Sequence, residues 1–335
     1  MFLLLACIDN GFQEKEEVVE PIDTSVVEDS PIDSPVDTGE PPTCEDHAEP
    51  QNYDAEVDSS CIEELPPGTF NPAVEWHWQS STEVPSDTQV VMSPVVVDLD
   101  QDGVPEVLAI TYGSGYRGHA STLRALRGTD GKELWALKAT LGSINGTSGI
   151  GAADVDGDGT VEIFVCTVEK QLLAIDNEGN ELWATPGICT SGEDAPSLHD
   201  LDGDGQVEVI VGRTWLDGDG NILAQGTAGR GAAGSYGAMS FGADVNGDGV
   251  QEVIAGNTVY NLDGTTLWSS NLSDGQPAIA DVEGDGIPDL FTTGAQGLVR
   301  YEADTGGVVW GPLAHAGGGY GGPPTLADFD GDGAL

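Results

Sequence analysis

One short acidic loop recurs six times between residues 98 and 333 of this 335-residue chain, and no other feature constrains the fold as strongly. The copies read DLDQDGVPE, DVDGDGTVE, DLDGDGQVE, DVNGDGVQE, DVEGDGIPD and DFDGDG. They begin at Asp98, Asp154, Asp200, Asp244, Asp281 and Asp328. Every complete copy has oxygen-bearing side chains at positions 1, 3, 5 and 9 and a glycine at position 6. Such closely spaced carboxylates repel one another unless a cation lies among them, and this pattern is typical of Ca²⁺ coordination.

The later positions of the loop exclude an EF-hand, which shares its opening. An EF-hand needs a bidentate Glu at position 12 and a helix on either side. Position 12 here holds residues without a carboxylate, namely Ala109, Val165, Val211, Ala255 and Thr292. The acid lies at position 9 instead, between residues that are expected to form strands.

The spacing of the loops predicts repeated β-sheets. Successive loops start 56, 46, 44, 37 and 47 residues apart, and a period near 46 suits a four-stranded propeller blade. In each unit apolar runs flank the loop, as in Pro94–Val97 and Val107–Thr111. A second hairpin follows, and in four units it ends at a tryptophan: Trp135, Trp183, Trp268 and Trp310. We expect an all-β chain whose tryptophans pack between blades, with a stacking platform for sugars as the alternative.

The loop, its apolar lead-in and its period resemble FG-GAP and VCBS-type repeats, which form the β-propeller blades of integrin α-subunits and of many bacterial surface proteins. Phe241-Gly242 directly before the fourth loop matches the family's "FG". The resemblance covers roughly residues 73–335, within a predicted propeller domain of residues 71–335. Propellers of this family usually have seven blades, so five full repeats and a sixth cut short predict a propeller incomplete at its C-terminus. We expect the segment Val74–Trp78 to act as an outer strand that closes the final blade.

The resemblance also implies which atoms bind calcium, with side chains at positions 1, 3, 5 and 9 and the backbone carbonyl at position 7 as ligands. About five to six Ca²⁺ ions are expected on this basis, and the longer Glu283 sets the fifth loop apart. The implied ligands are Asp98, Asp100, Asp102, Val104 and Glu106; Asp154, Asp156, Asp158, Thr160 and Glu162; Asp200, Asp202, Asp204, Gln206 and Glu208; Asp244, Asn246, Asp248, Val250 and Glu252; Asp281, Glu283, Asp285, Ile287 and Asp289; and Asp328, Asp330 and Asp332.

The charge of the chain narrows its partners and its location. With 10 basic against 58 acidic residues, the formal net charge is −48. Nucleic acid is excluded as a partner because phosphate binding needs the opposite sign. This charge suits a protein that stays soluble in a calcium-rich extracellular setting. We therefore expect an extracytoplasmic protein, either on the outer membrane or cell surface or secreted.

The first 70 residues predict three short segments. Residues 1–7 end in Leu5-Ala6-Cys7, which resembles a bacterial lipobox that would place a lipid anchor on Cys7, although its apolar run is shorter than a working signal peptide needs. Residues 8–43 are acidic and rich in Pro, Ser and Thr, as in a disordered tether. Residues 44–70 form a lead-in that a Cys44–Cys61 disulfide would hold. Cys166 and Cys189 would supply a second disulfide.

The sequence favours a binding module over an enzyme. It has no G-x-S-x-G, H-E-x-x-H, P-loop or C-x-x-C motif, and its five histidines show no metal-ligand spacing. We expect an adhesion protein whose ligand is a surface protein or glycan. Three glycine-rich loops opposite the calcium loops are the candidate contact surface, with Tyr112, Tyr116, Arg117, Arg230, Tyr236, His315 and Tyr320 as anchors. The alternatives are an enzyme similar to the propeller polysaccharide lyases and a purely structural surface spacer.

Overall fold

Each complete acidic loop joins the first two strands of a four-stranded antiparallel sheet. The computed structural model describes residues 73–113, 120–190, 193–234, 236–315 and 319–328. These residues contain twenty strands and no helix. Every sheet is formed by four consecutive strands in chain order, so each sequence repeat is one sheet. The all-β fold predicted from the loop spacing is confirmed.

The strands of the five sheets have the following bounds. The first two sheets contain β1 (Val95–Val97), β2 (Glu106–Thr111), β3 (Thr122–Arg127), β4 (Glu133–Leu137), and β5 (Ile150–Ala153), β6 (Glu162–Cys166), β7 (Gln171–Ile175), β8 (Glu181–Pro186). The other three contain β9 (Ser197–His199), β10 (Glu208–Val211), β11 (Thr214–Leu216), β12 (Ile222–Gln225); β13 (Phe241–Ala243), β14 (Glu252–Ile254), β15 (Thr258–Tyr260), β16 (Thr266–Ser269); and β17 (Gly275–Ala280), β18 (Asp289–Gly294), β19 (Gly297–Glu302), β20 (Val308–Leu313).

The five sheets are arranged as blades of a β-propeller. Contacts between blades include those of the first strands, where β1 meets β5, β5 meets β9 and β9 meets β13. The hydrophobic clusters lie between consecutive blades, since one joins blades one and two, the next joins blades two and three, and others join three to four and four to five. The second and third strands of each blade supply most of the buried residues, whereas the fourth strands are largely exposed or half-buried.

Tryptophans on the fourth strands connect one blade to the next. Three of these indole N–H groups donate to a carbonyl in the turn between strands three and four of the following blade, at 2.7–3.0 Å. The ring lies on a glycine of that turn, where a Cβ would come within 3.0 Å of the ring atoms. The donor–acceptor pairs are Trp135 with Asn177, Trp183 with Gly218, and Trp268 with Ala303. The predicted packing between blades is confirmed for these three tryptophans, whereas Trp310 of β20 lies against Phe291 of its own blade, with ring centroids 6.0 Å apart.

Two variations preserve this contact where the fourth-strand tryptophan is missing. Blade three has Ala224 at the tryptophan position, and the fully buried Trp215 on β11 donates instead to the carbonyl of Leu262 in blade four, at 3.0 Å. Ahead of blade one, Trp76 donates to the carbonyl of Gly128 at 2.6 Å. The predicted closing strand Val74–Trp78 is not paired in a sheet among the described residues, but its tryptophan makes the contact expected of an outer strand.

A disulfide joins Cys166 at the end of β6 to Cys189 after β8, which confirms the second predicted pair. Cys7, Cys44 and Cys61 lie outside the described residues, as do the predicted anchor, tether and lead-in segments. In the described part of the chain, no helix has the length and apolar character needed to cross a membrane.

The contact between blades predicts a specific cost for losing the indole N–H. Trp183→Phe keeps an aromatic ring over Gly220 but leaves the carbonyl of Gly218 without its donor. We expect the free energy of unfolding to fall by about 0.5–1.5 kcal/mol, the usual net contribution of a hydrogen bond, because Gly218 is half-buried. Urea denaturation measures this loss. The matched control is Leu182→Ala on the same strand, whose side chain is 47% exposed and whose removal should change stability by less than about 0.5 kcal/mol.

Candidate metal centres

The acidic loops fold around their own carboxylates. In the second loop the position-1 carboxylate of Asp154 accepts N–H bonds from Gly157 at 2.8 Å and Gly159 at 3.0 Å. The position-5 carboxylate of Asp158 accepts the N–H of Thr160 at 2.8 Å. The bonds from the N–H groups of positions 6 and 7 recur in the other four complete loops. Each loop therefore holds its first and fifth side chains in place through its backbone.

Positive backbone angles at positions 4 and 6 permit this winding. Gly157 and Gly159 have φ angles of 74° and 93°, a region that costs a residue with a side chain about 1–2 kcal/mol. The sequence pattern identified the glycine at position 6 but not the one at position 4. The first loop has Gln101 at position 4, with a φ of 57°.

Three loops bring carboxylates together closely enough to share one cation. In each, one ligand atom from position 1, one from position 3 and one from position 9 lie within 4.8 Å of each other. The trios are Asp98, Asp100 and Glu106; Asp154, Asp156 and Glu162; and Asp200, Asp202 and Glu208. Their hard oxygen atoms fit Ca²⁺, which prefers carboxylate and carbonyl ligands.

The position-9 glutamates are the buried members of these groups. Glu106, Glu162, Glu208 and Glu252 are each 3–7% exposed. One oxygen of each accepts the N–H of the residue at position 2, at 2.9–3.2 Å. Burial raises the pKa of all four carboxyls, and the aspartates of the same loop raise it further. A carboxylate kept out of water beside other carboxylates is stabilised by a bound cation.

The fourth loop has an amide in place of one carboxylate. Asn246 at position 3 donates from Nδ2 to Oε1 of Glu252 at 2.9 Å, so positions 3 and 9 also meet there. An amide presents either its nitrogen or its oxygen to the same point after a 180° rotation. Positions 3 and 9 of the fourth loop thus meet as in the first three loops, with one negative charge fewer.

The fifth loop contains a cation of its own chain. The guanidinium of Arg300 bonds to the position-9 carboxylate of Asp289, with Nε to Oδ1 at 2.7 Å and Nη2 to Oδ2 at 2.9 Å. Nη2 also bonds to Oε2 of Glu283 at position 3. The sequence pattern did not identify Arg300, because it lies on β19 and comes eleven residues after the loop ends. In the sixth loop, Asp330 and Asp332 lie outside the described residues.

The opposite end of the blades carries a cleft. In an antiparallel four-stranded sheet, the turn between strands two and three and the connection to the next blade lie at the end away from the first loop; we call this end the loop face. A cleft of about 620 Å³ opens there beside blades three and four. Its polar lining consists of Thr190, Arg213, Arg230, Asn257, Ser269, Ser270 and Asp274.

Some predicted anchors meet on the loop face and others do not. Tyr236 and Tyr320 come together from separate loops with ring centroids 6.1 Å apart, and both are exposed. Arg230 lines the cleft with Arg213, which the sequence pattern missed because it lies in a two-residue turn rather than in a long loop. Tyr112 pairs through its backbone with Gln89, and His315 bonds to Gly294. Tyr116 and Arg117 lie outside the described residues.

The comparisons with known proteins agree with this fold. Residues 98–165 match the family described as FG-GAP-like repeat. The V. cholerae biofilm matrix protein Bap1 is 25% identical with a TM-score of 0.60, over 71% of this chain and 42% of that one. The exotype rhamnogalacturonan lyase YesX is 20% identical (TM-score 0.55, 70% and 51%), and the Bacillus licheniformis rhamnogalacturonan lyase PL11 is 19% identical (0.53, 70% and 53%).

These matches bear on the fold more than on activity. The chain covers 42–53% of the length of these three solved proteins. At 19–20% identity the two lyases share a fold with this chain, and no curated protein matches it by sequence. The predicted FG-GAP-type repeat is confirmed over residues 98–165, and the predicted β-propeller fold is confirmed.

The raised pKa values predict how pH affects the metal-free protein. In the unfolded chain each glutamate ionises near its ordinary value of 4.5, whereas the folded protein holds these protons to higher pH. Between the unfolded and the folded pKa, the folded state therefore binds more protons than the unfolded state. The free energy of unfolding of the metal-free protein should then fall as pH rises above about 4.5. Glu162→Gln should reduce this fall, as measured by chemical denaturation from pH 4 to pH 8 after removal of metal. The control Glu178→Gln, an exposed turn residue of the same blade, should leave the profile unchanged, and an equal effect of both would contradict the assignment.

Proposed function

We propose that this chain, an FG-GAP-repeat β-propeller, is an extracellular, non-catalytic adhesion or ligand-binding protein whose blades are stabilised by Ca²⁺. The observation that carries the calcium part is the convergence of three carboxylates in each of the first three loops, with the buried position-9 glutamate as the third. The fourth loop repeats this geometry with Asn246. Calcium bound there would offset the repulsion within each loop and link β-strands one and two of each blade.

The residues of the loops have distinct parts in this binding. Position-1 and position-5 carboxylates are already oriented by backbone N–H groups, and position 9 is anchored by the N–H of position 2. Ca²⁺ would therefore bind a site whose side chains are largely in place. The charge of the ion would balance the negative charge of the carboxylates, whose orientation the backbone N–H groups of the loop already fix.

An oxidising compartment is supported by the disulfide. The Cys166–Cys189 bond forms between two fully buried residues of blade two. Disulfides persist outside the cytosol and are rare within it. Millimolar calcium in extracellular fluids is also sufficient for loops of moderate affinity. We infer an extracytoplasmic location, either at a cell surface or in secreted form.

The cleft on the loop face is the proposed ligand site, and a carboxylated glycan fits its chemistry. Two arginines line it in a protein of net charge −48, so they form a local exception to the acidic surface. Guanidinium groups bind carboxylates in a bidentate manner, and the neighbouring Ser, Thr and Asn side chains suit sugar hydroxyls. Arg213 already donates to the carbonyl of Ala228 at 2.7 Å, which holds its side chain at the wall.

The lining of the cleft argues for binding rather than cleavage. Its described residues include no histidine, lysine or tyrosine that would act as a proton acceptor. The one carboxylate, Asp274, accepts backbone N–H bonds from Arg230, Ala232, Asn257 and Gly275. These bonds give Asp274 the role of holding two loops together.

Removal of calcium should destabilise the protein reversibly. We expect the melting temperature to fall in EDTA and to recover with added Ca²⁺. A single site at one hundred times its Kd contributes about 2.7 kcal/mol, so several sites should produce a large shift. Differential scanning calorimetry measures this, with Mg²⁺ as the control cation because it accommodates this ligand set poorly. Identical melting curves in EDTA and in Ca²⁺ would contradict the calcium-binding role.

Loss of the two cleft arginines should weaken binding of an acidic glycan. Arg213→Gln with Arg230→Gln should reduce affinity for oligogalacturonate at least about tenfold, since each charged hydrogen bond contributes about 1.5–3 kcal/mol. Isothermal titration calorimetry measures this, and methyl-esterified oligomers should bind weakly to the unchanged protein. Arg127→Gln is the matched control, because Arg127 is an exposed arginine at the end away from the cleft. Release of an unsaturated sugar product would instead indicate a lyase, and absence of any glycan or protein ligand would indicate a spacer.

A further inference from the structure

Arg300 is placed in the fifth loop as an ion would be. Its side chain is 11% exposed, and that of its partner Asp289 is 4% exposed. The guanidinium bonds to both oxygens of the position-9 carboxylate and to the position-3 carboxylate of Glu283. Positions 3 and 9 are two of the three positions whose ligand atoms converge in the first three loops. Arg300 therefore lies where the loop would otherwise present its oxygens to a metal.

The other blades have no basic residue at this place. Arg300 pairs across the ladder with Phe291, the second residue after position 9. The same register in blades one to four pairs Leu108 with Ala125, Phe164 with Ala174, Ile210 with Trp215, and Ile254 with Val259. A basic side chain at this register thus occurs in blade five and in none of the other four described blades. Arg127 of blade one pairs across the ladder with Glu106, but its side chain is 40% exposed and bonds to Asp130 at 3.3 Å.

The acids of the fifth loop differ from the others in the way a guanidinium requires. Position 9 is glutamate in the first four loops and the shorter Asp289 in the fifth, whereas position 3 is Asp or Asn in the first four and the longer Glu283 in the fifth. The shorter residue withdraws one carboxylate by one methylene and leaves room for a planar group. The longer residue reaches outward, with 53% of its side chain exposed, and contacts the guanidinium from the solvent side.

We propose that Arg300 takes the place of Ca²⁺ in the fifth loop, so that blade five is held by an internal ion pair and binds no metal. The inference rests on the proposed binding of Ca²⁺ by the first four loops. Bidentate Arg–carboxylate pairs are geometrically specific, and a second cation at the same carboxylates would be repelled by the guanidinium. Calcium would have to displace a largely buried arginine from both of its partners.

The test is the number of calcium ions bound by the full chain and by two matched variants. Native mass spectrometry after equilibration with Ca²⁺ counts the ions. Asp281→Asn with Asp285→Asn alters positions 1 and 5 of the fifth loop, and Asp200→Asn with Asp204→Asn makes the same change in the third. We expect the third-loop variant to lose one ion and the fifth-loop variant to bind as many as the unchanged protein. Loss of an ion from the fifth-loop variant would overturn the inference.

A second variant tests the role of Arg300 directly. Arg300→Met removes the charge and keeps a long side chain, so the fifth loop becomes able to accept an ion. We expect one additional Ca²⁺ and a larger calcium-dependent rise in melting temperature than in the unchanged protein. Arg300→Lys, which keeps a positive charge, should gain no ion. An unchanged count in Arg300→Met would overturn the role assigned to this residue.

The two proposals fail in different ways in these measurements. If the unchanged protein and the third-loop variant both bind no calcium, the proposed calcium role is wrong, and no metal remains for Arg300 to replace. If the third-loop variant loses an ion and the fifth-loop variant also loses one, the calcium role holds and the inference about Arg300 is wrong.

Discussion

Compensation of clustered negative charge is the constraint on which this structure depends. Every blade begins with four acidic or amide side chains within nine residues, and the fold places the ninth in a buried position. Backbone N–H groups bond to part of this charge, but they orient the carboxylates without neutralising them. Blade five balances part of this charge with Arg300 of its own chain. In the other four described blades the proposed Ca²⁺ would have the same part.

A second set of contacts makes the blades interdependent. The indole N–H of one blade and a turn carbonyl of the next form a hydrogen bond at every described junction, although the tryptophan comes from a fourth strand in three cases and from a third strand in blade three. Hydrophobic clusters shared by neighbouring blades lie beneath these bonds. The acidic loop connects the first two strands of each blade, and the tryptophan bonds the outer strands of one blade to a turn of the next.

The sequence predicted features that repeat and missed features that occur once. Loop period, strand order and the packing of Trp135, Trp183 and Trp268 follow from residues that recur from unit to unit. Trp215 on β11 takes over the contact that a fourth-strand tryptophan makes elsewhere, and Arg300 on β19 enters the fifth acidic loop. Only the pairing of neighbouring strands shows where these two side chains lie. Arg213 lies in a short turn and reaches the cleft through the packing of blades, which periodicity does not describe. Conversely, the sequence shows that the fifth loop has Glu283 at position 3 and Asp289 at position 9, but it does not show that both bond to Arg300.

The direction of the tryptophan contact has a consequence for how such a chain changes over evolutionary time. Each of blades one to four contributes one donor to the blade after it, and each of blades two to five contributes one acceptor to the blade before it. Blade one accepts in the same way from Trp76. A duplicated or deleted unit of about 46 residues brings or removes one donor and one acceptor together, in keeping with the nearest-neighbour energetics of repeat proteins. New blades can therefore enter or leave the array by recombination of whole repeats without leaving an unpaired junction. The number of blades is then free to vary among descendants, while the junction between any two stays the same.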